Sequence, residues 1–401
     1  MTAIALEEAQ GRLCAIVRSL AQRETVGLDA AVGRVLACDY TSTLDCPPFA
    51  HSPLDGYALR AVDSVGATRE TPVRLRVLER VMAGSVPTCT VLPGTAVRLM
   101  TGASLPDGAD CVLRQEDTDY GEDEVDLYVA LRPHDNVIDR GEDVSTGMLV
   151  ARAGERVDAG LSGVLAMVGI AEVEVYRRPR IAVVTTGDEL VPLGEELRPG
   201  MVFDSNGQLL RGCLTELGLA PSLVTHASDD ASAVATLIDE LCATQDLVVT
   251  TGGVSVGQRD IMHDVALELG EEELFWRVAL KPGSPAMAFS HDGVPVLCLS
   301  GNPFGAFVTW QLLARPLLAT LTRDDTLRTG SCTAIVAGGF PKASGQRRFV
   351  RARLEGGVAT IPAANHSSGA LFALRGCTCL IDIPAGTGPL VEGDAVRVVT
   401  L

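Results

Sequence analysis

Lysine is nearly missing from this 401-residue chain: only Lys281 and Lys342 stand beside 31 arginines. Positive charge is short overall, with 33 basic against 51 acidic residues and a formal net charge of −18. So acidic a chain lacks the broad basic surface that displaces counterions from nucleic acid. Aromatic residues make up only 4%, which excludes a stacking platform for single strands. No window offers the roughly 18 unbroken apolar residues of a membrane helix; the richest stretch, Phe304 to Leu321, is interrupted by Gln311, Arg315 and Pro316. Glu7 and Glu8 stand where a secretion signal is basic, so a cytoplasmic chain without membrane or nucleic-acid partners is expected. The 11 cysteines lie singly with no CxxC, and the six histidines never fall at zinc spacing. Reduced, mostly buried thiols are expected. Familiar catalytic signatures are missing too. Gly252 to Gly257 is followed by Gln258-Arg259 rather than Lys-Ser/Thr, so there is no Walker A loop. No GxGxxG follows an early strand, and there is no GxSxG elbow.

What is present is a chain with 47% hydrophobic residues, long enough for two to four domains and a large core. Leu6, Ala9, Leu13, Val17 and Leu20 recur at helical spacing, and Ala30 to Asp39 reads as a second short helix. From about Pro72 to Val175 short strand-like runs alternate with turns, among them Val73 to Val77, Val97 to Leu99, Cys111 to Leu113 and Val125 to Val129, with a helix near Leu161 to Val168. After Arg178-Pro179 the texture changes. Apolar runs at Ile181 to Val184, Leu223-Val224, Leu247 to Val249 and Val296 to Leu299 alternate with helical patterns at Gln208 to Leu217, Asp230 to Leu241 and Phe304 to Leu321. This predicts a doubly wound parallel sheet covered on both faces. From about Ser331 the short strands and glycine turns of a small β-barrel or sandwich return.

Parallel sheets bind ligands beyond the carboxyl ends of their strands. The loops following the clearest strands are Thr185-Thr186-Gly187-Asp188-Glu189, Thr250-Thr251-Gly252-Gly253-Val254-Ser255 and Ser300-Gly301-Asn302-Pro303. Each offers hydroxyls, small residues and open backbone N–H groups, the equipment of an anion cradle. Carboxylates gather at the same loops: Asp188, Glu189, Asp204, Asp229 and Asp260. Oxygen-only ligands beside a phosphate site suit Mg²⁺. Lys281, in a Lys-Pro-Gly turn, is a compact charge suited to an oxyanion.

The ordered series Ser52-x-x-Asp55-Gly56-Tyr57-Ala58, Met100-Thr101-Gly102-Ala103, Gly141-Glu142-Asp143, Thr186-Gly187-Asp188-Glu189-Leu190, Asp204-Ser205-Asn206, Gly252-Gly253-Val254-Ser255-Val256-Gly257, Lys281-Pro282-Gly283 and Gly301-Asn302-Pro303 resembles molybdopterin molybdenumtransferase. This is the molybdenum insertase family that also supplies the C-terminal domain of gephyrin. The resemblance implies an elongated N-terminal helical part (1–45 with 145–178), an inserted β domain (46–144), a molybdopterin-binding α/β domain (179–326) and a C-terminal β-barrel (327–401). It implies a homodimer whose cleft joins the α/β domain of one subunit to the β domain of the other. The implied reaction takes adenylylated molybdopterin and molybdate, with Mg²⁺, and releases AMP. A molybdopterin adenylyltransferase and recipient molybdoenzymes are the implied protein partners. Asp55, Thr101, Glu189, Asp260 and Lys281 match catalytic positions, and Glu189, Asp229 and Asp260 the metal cluster. The strand-end loops, with Arg351 and Ser368, match substrate-binding positions.

Several family cations are replaced here. The Lys-Pro-Gly-Lys-Pro of the family reads Lys281-Pro282-Gly283-Ser284-Pro285, another lysine is Arg277, and the arginine-rich run before Gly-Glu-Asp shrinks to Ile138-Asp139-Arg140. The family's Asp-Asn-Ser-Ala-Met before the Asp-Gly-Tyr-Ala string reads Ala50-His51-Ser52-Pro53-Leu54, and Ser300 stands for a proline before Gly-Asn-Pro. Fewer cations are expected to weaken molybdate binding or select another oxyanion, such as tungstate. Three readings follow: an active insertase, a diverged paralogue that binds the pterin nucleotide without transferring metal, and an adenylyltransferase that makes that nucleotide.

Overall fold

The apolar runs between Ile181 and Leu299 become the strands of one six-stranded sheet in the computed structural model, which describes residues 3–17, 22–254, 261–363 and 366–401. Its order is Leu223–Ala227, Ile181–Thr186, Leu247–Thr251, Val294–Leu299, Met287–His291 and Glu273–Trp276. The first four strands are mutually parallel, and Met287–His291 pairs antiparallel with both of its neighbours. Successive side chains on a strand point to opposite faces, and here both faces are covered. Ile181, Val183, Leu247, Val249, Leu297 and Leu299 pack with the helices Leu6–Val17, Ser205–Glu216 and Pro303–Thr322. Ala182, Val184, Val248, Val296 and Cys298 pack with Ala231–Cys242 and Ile261–Glu268. Burial on both faces explains why the strands read as unbroken apolar runs. The helical segment Pro303–Thr322 is long and apolar enough to cross a membrane, yet 94% of its most apolar window is buried inside the protein.

The chain leaves the strand Ile181–Thr186 toward one edge and returns past it to Leu247–Thr251. The strand order therefore reverses between these two, and the loops after Thr186 and Thr251 flank that switch point. The C-terminal strands Ser331–Ala337, Arg347–Glu355, Val358–Thr360, Cys379–Ile383 and Ala395–Thr400 pair in a closed ring, a five-stranded barrel. A two-residue strand, Leu280–Lys281, joins that barrel alongside Arg347 and Arg348. All of this lies in one compact unit, residues 1–25, 33–37 and 174–401.

The other unit, 26–32 and 38–173, holds a five-stranded sheet in the order Cys111–Arg114, Gly56–Leu59, Thr95–Leu99, Val73–Val81 and Glu124–Leu127. The Asp55-Gly56-Tyr57-Ala58 string forms an inner strand because only Gly56 fits there: a Cβ would stand 2.1 Å from Leu113 O. Two sequence expectations change. The helix read over 30–39 is only Leu28–Ala31, ended by Gly33 at φ +79° before Leu36 bridges Val175. The sheet is also not wholly parallel, since Met287–His291 turns back at Asp292-Gly293 into Val294–Leu299. All 11 cysteines are free. Burial pushes the Cys213 and Cys242 thiols up to about 12, which leaves them unreactive.

Candidate active site

Helix Ser205–Glu216 begins where Asp204 caps it, accepting from Gly207 N at 2.9 Å and from Thr185 Oγ1 at 2.9 Å. Asp204 is thus a structural cap, which removes it from the metal candidates. The cap presents Asn206 to the sheet edge. Asn206 Nδ2 donates to Thr251 Oγ1 at 2.9 Å and Gly301 O at 2.8 Å, and Thr251 Oγ1 donates to Ser300 O at 2.9 Å. One asparagine so ties the first helix turn to two strand ends. Gly252 sits at φ +104°, and a Cβ there would lie 2.3 Å from Thr186 O, so the loops after Thr186 and Thr251 run backbone to backbone. Only glycine permits both the angle and the approach.

These loops enclose a cavity of about 340 Å³. Thr186, Gly187, Glu189, Asp229, Gly252, Gly253, Val254, Ser300, Gly301 and Asn302 line it, as the sequence leads one to expect. Thr186 Oγ1 and Asn206 Oδ1 are buried without a hydrogen-bond partner. Buried polar atoms are seldom left unpaired, so both point to a ligand. Asp188 does not line the cavity. It clasps the neighbouring loop instead, its Oδ1 accepting from Asp229 N at 3.1 Å. Pro303 opens the helix Pro303–Thr322 and also lies off the cavity wall. Ser255 and Asp260 lie outside the described residues.

A second cavity, of about 430 Å³, shares Pro285, Ser300 and Asn302 with the first. Lys281 and Ser368 line it. The Lys281-Pro282-Gly283 turn is laid onto the first turn of the helix Pro303–Thr322, where a Cβ on Gly283 would stand 2.9 Å from Gly305 O. Ser368 is held by its carbonyl, which accepts from Phe304 N at 2.9 Å. Arg351 lies behind this wall rather than on it. It is fully buried, its guanidinium carbon 3.7 Å from the centre of the Phe304 ring. Its two Nη groups donate to Ala370 O and Ser367 O, so it fastens the loop that carries Ser368. Burial pulls this guanidinium below its ordinary value. His366 also lines the cavity; burial, with Arg351 and Lys342 near, lowers its pKa. Sequence reasoning missed Arg348 and His366, which line this cavity, and gave no role to Asn206 of the Asp-Ser-Asn motif. The signal for Lys342 was its rarity alone.

In the other unit, Asp55 and Thr101 meet directly. Asp55 Oδ1 accepts from Thr101 N at 2.7 Å and from Thr101 Oγ1 at 2.9 Å. These two bonds, with Arg80 and Arg98 near, hold the Asp55 carboxyl below the usual carboxylate range.

A doubly wound domain with hydroxyls, glycines and carboxylates at its strand switch point, beside a cationic cavity closed by a barrel, defines a multidomain protein built for anionic ligands. Comparison with known proteins narrows the class. Residues 4–169 match the family model for the MoeA N-terminal region (domains I and II), 182–320 the model described as "Probable molybdopterin binding domain", and 333–401 that for the MoeA C-terminal region (domain IV). The chain is 33% identical to the molybdopterin molybdenumtransferase of Bacillus subtilis (strain 168), over 100% of this chain and 94% of that one. It is 33% identical to the protein of the same name from Staphylococcus aureus (strain MRSA252), over 94% of this chain and 90% of that one. The solved molybdopterin biosynthesis MoeA protein from Pyrococcus horikoshii superposes with a TM-score of 0.84 at 33% identity, covering 100% of this chain and 99% of that one. The chain belongs to the MoeA family, transferases of molybdenum cofactor biosynthesis.

Proposed function

We propose that this chain transfers molybdenum from molybdate to molybdopterin, taking the pterin as its adenylylated form and releasing AMP with the help of Mg²⁺. The observation that carries this reading is the pair of cavities sharing Pro285, Ser300 and Asn302. One is lined by carboxylates, hydroxyls and glycine backbone, the other by cations. In this reading the phosphate-bearing pterin nucleotide lies at the strand switch point, with backbone N–H groups and Thr186 aimed at its phosphates. Molybdate lies next to it, neutralised by Lys281 and bonded by Ser368. Glu189 and Asp229 offer the oxygen-only donors that suit Mg²⁺, and Asp260 is the proposed third ligand. Bound there, the ion neutralises phosphate charge. In this reading Asp55 and Thr101, hydrogen-bonded to each other, also take part in the reaction. Tungstate, of the same charge and shape, is the other oxyanion this cavity admits. The chain acts as a homodimer in this reading, upstream of recipient molybdoenzymes and downstream of an adenylyltransferase.

The test is AMP release from adenylylated molybdopterin with Mg²⁺, with molybdate and tungstate titrated separately. Oxyanion-dependent release is expected, falling at least about 100-fold in Glu189→Gln and Lys281→Ala. Nucleotide binding without release would make the chain a binding paralogue. ATP consumption without added pterin nucleotide would make it an adenylyltransferase.

A further inference from the structure

At the amino ends of the parallel strands, opposite the two cavities, three separate elements converge on one imidazole. His291 ends the strand Met287–His291, and Asp292 begins the turn that follows. Asp239 stands in the last turn of the helix Ala231–Cys242, and Glu271 follows the helix Ile261–Glu268. His291 is only 8% exposed. Its Nδ1 lies 3.0 Å from Glu271 Oε1 and its Nε2 2.9 Å from Asp239 Oδ1. A neutral imidazole carries one hydrogen, so it can serve only one of these carboxylates. The other needs a second proton or a cation between it and the ring. No lysine or arginine pairs with Asp239, Glu271 or Asp292 among the described residues. Three carboxylates against one imidazole leave negative charge in excess even when the ring is protonated. One ligand atom each from Asp239, His291 and Asp292 lies within 4.8 Å of the other two. A separate observation stands behind them. Cys242 is 6% exposed, and its sulfur has no hydrogen-bond partner among the described residues. After burial, the charges that act on this thiol are those of Asp239, Asp292 and Glu271. A cation would offset them.

We propose that Asp239, His291 and Asp292 bind a zinc-type divalent cation that staples the turn after Met287–His291 to the helix Ala231–Cys242. An imidazole nitrogen with carboxylate oxygens suits zinc, whereas magnesium and calcium take oxygen alone. Glu271 accepts the Nδ1 hydrogen and leaves the Nε2 lone pair to the metal, as carboxylates behind metal-bound histidines do. Asp239 and Asp292 are exposed, so water completes the shell from outside, and the buried sulfur of Cys242 closes it from inside. In the metal-free protein a second proton takes the place of the cation on the ring. This site is independent of the functional reading above, because it shares no residue with either cavity.

The test titrates Zn²⁺ calorimetrically into the full chain after treatment with a chelator. Excess Mg²⁺ is present throughout to fill oxygen-only sites. About one equivalent of zinc is expected to bind and to raise the unfolding temperature, because it binds the folded chain alone. His291→Gln is expected to remove that equivalent and the thermal shift. Asp292 takes φ +49°, a conformation that asparagine also adopts, so Asp292→Asn keeps the turn and is expected to weaken zinc binding at least about tenfold. Glu271→Gln, which touches the ring and not the metal, is expected to weaken it about tenfold. Zinc bound with equal affinity and number by the parent, His291→Gln and Asp292→Asn would mean an adventitious ion only and would overturn the inference. A parent chain that binds no zinc would overturn it too.

Discussion

At the scale of single residues, the site is built on glycines that admit no side chain and on one asparagine that ties two strand ends to a helix. Gly252→Ala would place a methyl 2.3 Å from Thr186 O at a φ of +104°. The account predicts a loss of about 2–4 kcal/mol in stability, read by urea unfolding, together with weakened AMP binding. A variant as stable as the parent would show that the two loops do not touch. Glycine was legible in the sequence because its run after an apolar strand has few other uses. Arg348 was not, since an arginine beside another on a strand reads as solvated charge. Only the fold places it on the cavity wall as the register partner of Lys281. Arg351 was singled out as a substrate contact, but its burial under Phe304 makes it the fastener of the Ser368 loop.

At the scale of elements, the strands buried on both faces were the most legible, because four consecutive apolar residues leave little choice of environment. The antiparallel return of Met287–His291 was hidden, since an apolar run carries no sign of its direction. That return creates a polar clamp at the far end of the sheet from the cavities. His291 Nε2 lies 2.9 Å from Asp239 Oδ1 of the helix Ala231–Cys242, and Nδ1 lies 3.0 Å from Glu271 Oε1, with Asp292 adjacent. The bond to Asp239 is the chief cause raising the His291 pKa, against its burial. A raised folded-state pKa gives stability that is full below the unfolded value near 6.5 and is lost as pH rises through the folded value. The chain is therefore predicted to lose stability between about pH 6.5 and the higher folded-state pKa, and His291→Gln to remove that slope. Equal slopes in thermal unfolding from pH 6 to 9 would contradict the clamp.

At the scale of the molecule, the central feature is a division of charge. A chain of net charge −18 sets a cavity lined by cations beside one lined by carboxylates, with Pro285, Ser300 and Asn302 common to both. Sequence spacing led to the acidic cavity almost completely, because its parts follow strands in order. It led to only half of the cationic cavity, because Lys281 stands in a recognisable turn while Lys342 and Arg348 come from a barrel whose ring closure is long-range. The loss of a turn lysine at Ser284 therefore looked like a loss of charge until the barrel was in place. The most direct measurement is an anomalous difference map at the molybdenum edge, from crystals grown with molybdate and AMP. The account predicts one strong peak in the cavity lined by Lys281 and Ser368, with the nucleotide across the shared wall. Molybdenum bound only among Glu189, Asp229 and the strand-end loops, or nowhere in this unit, would contradict it.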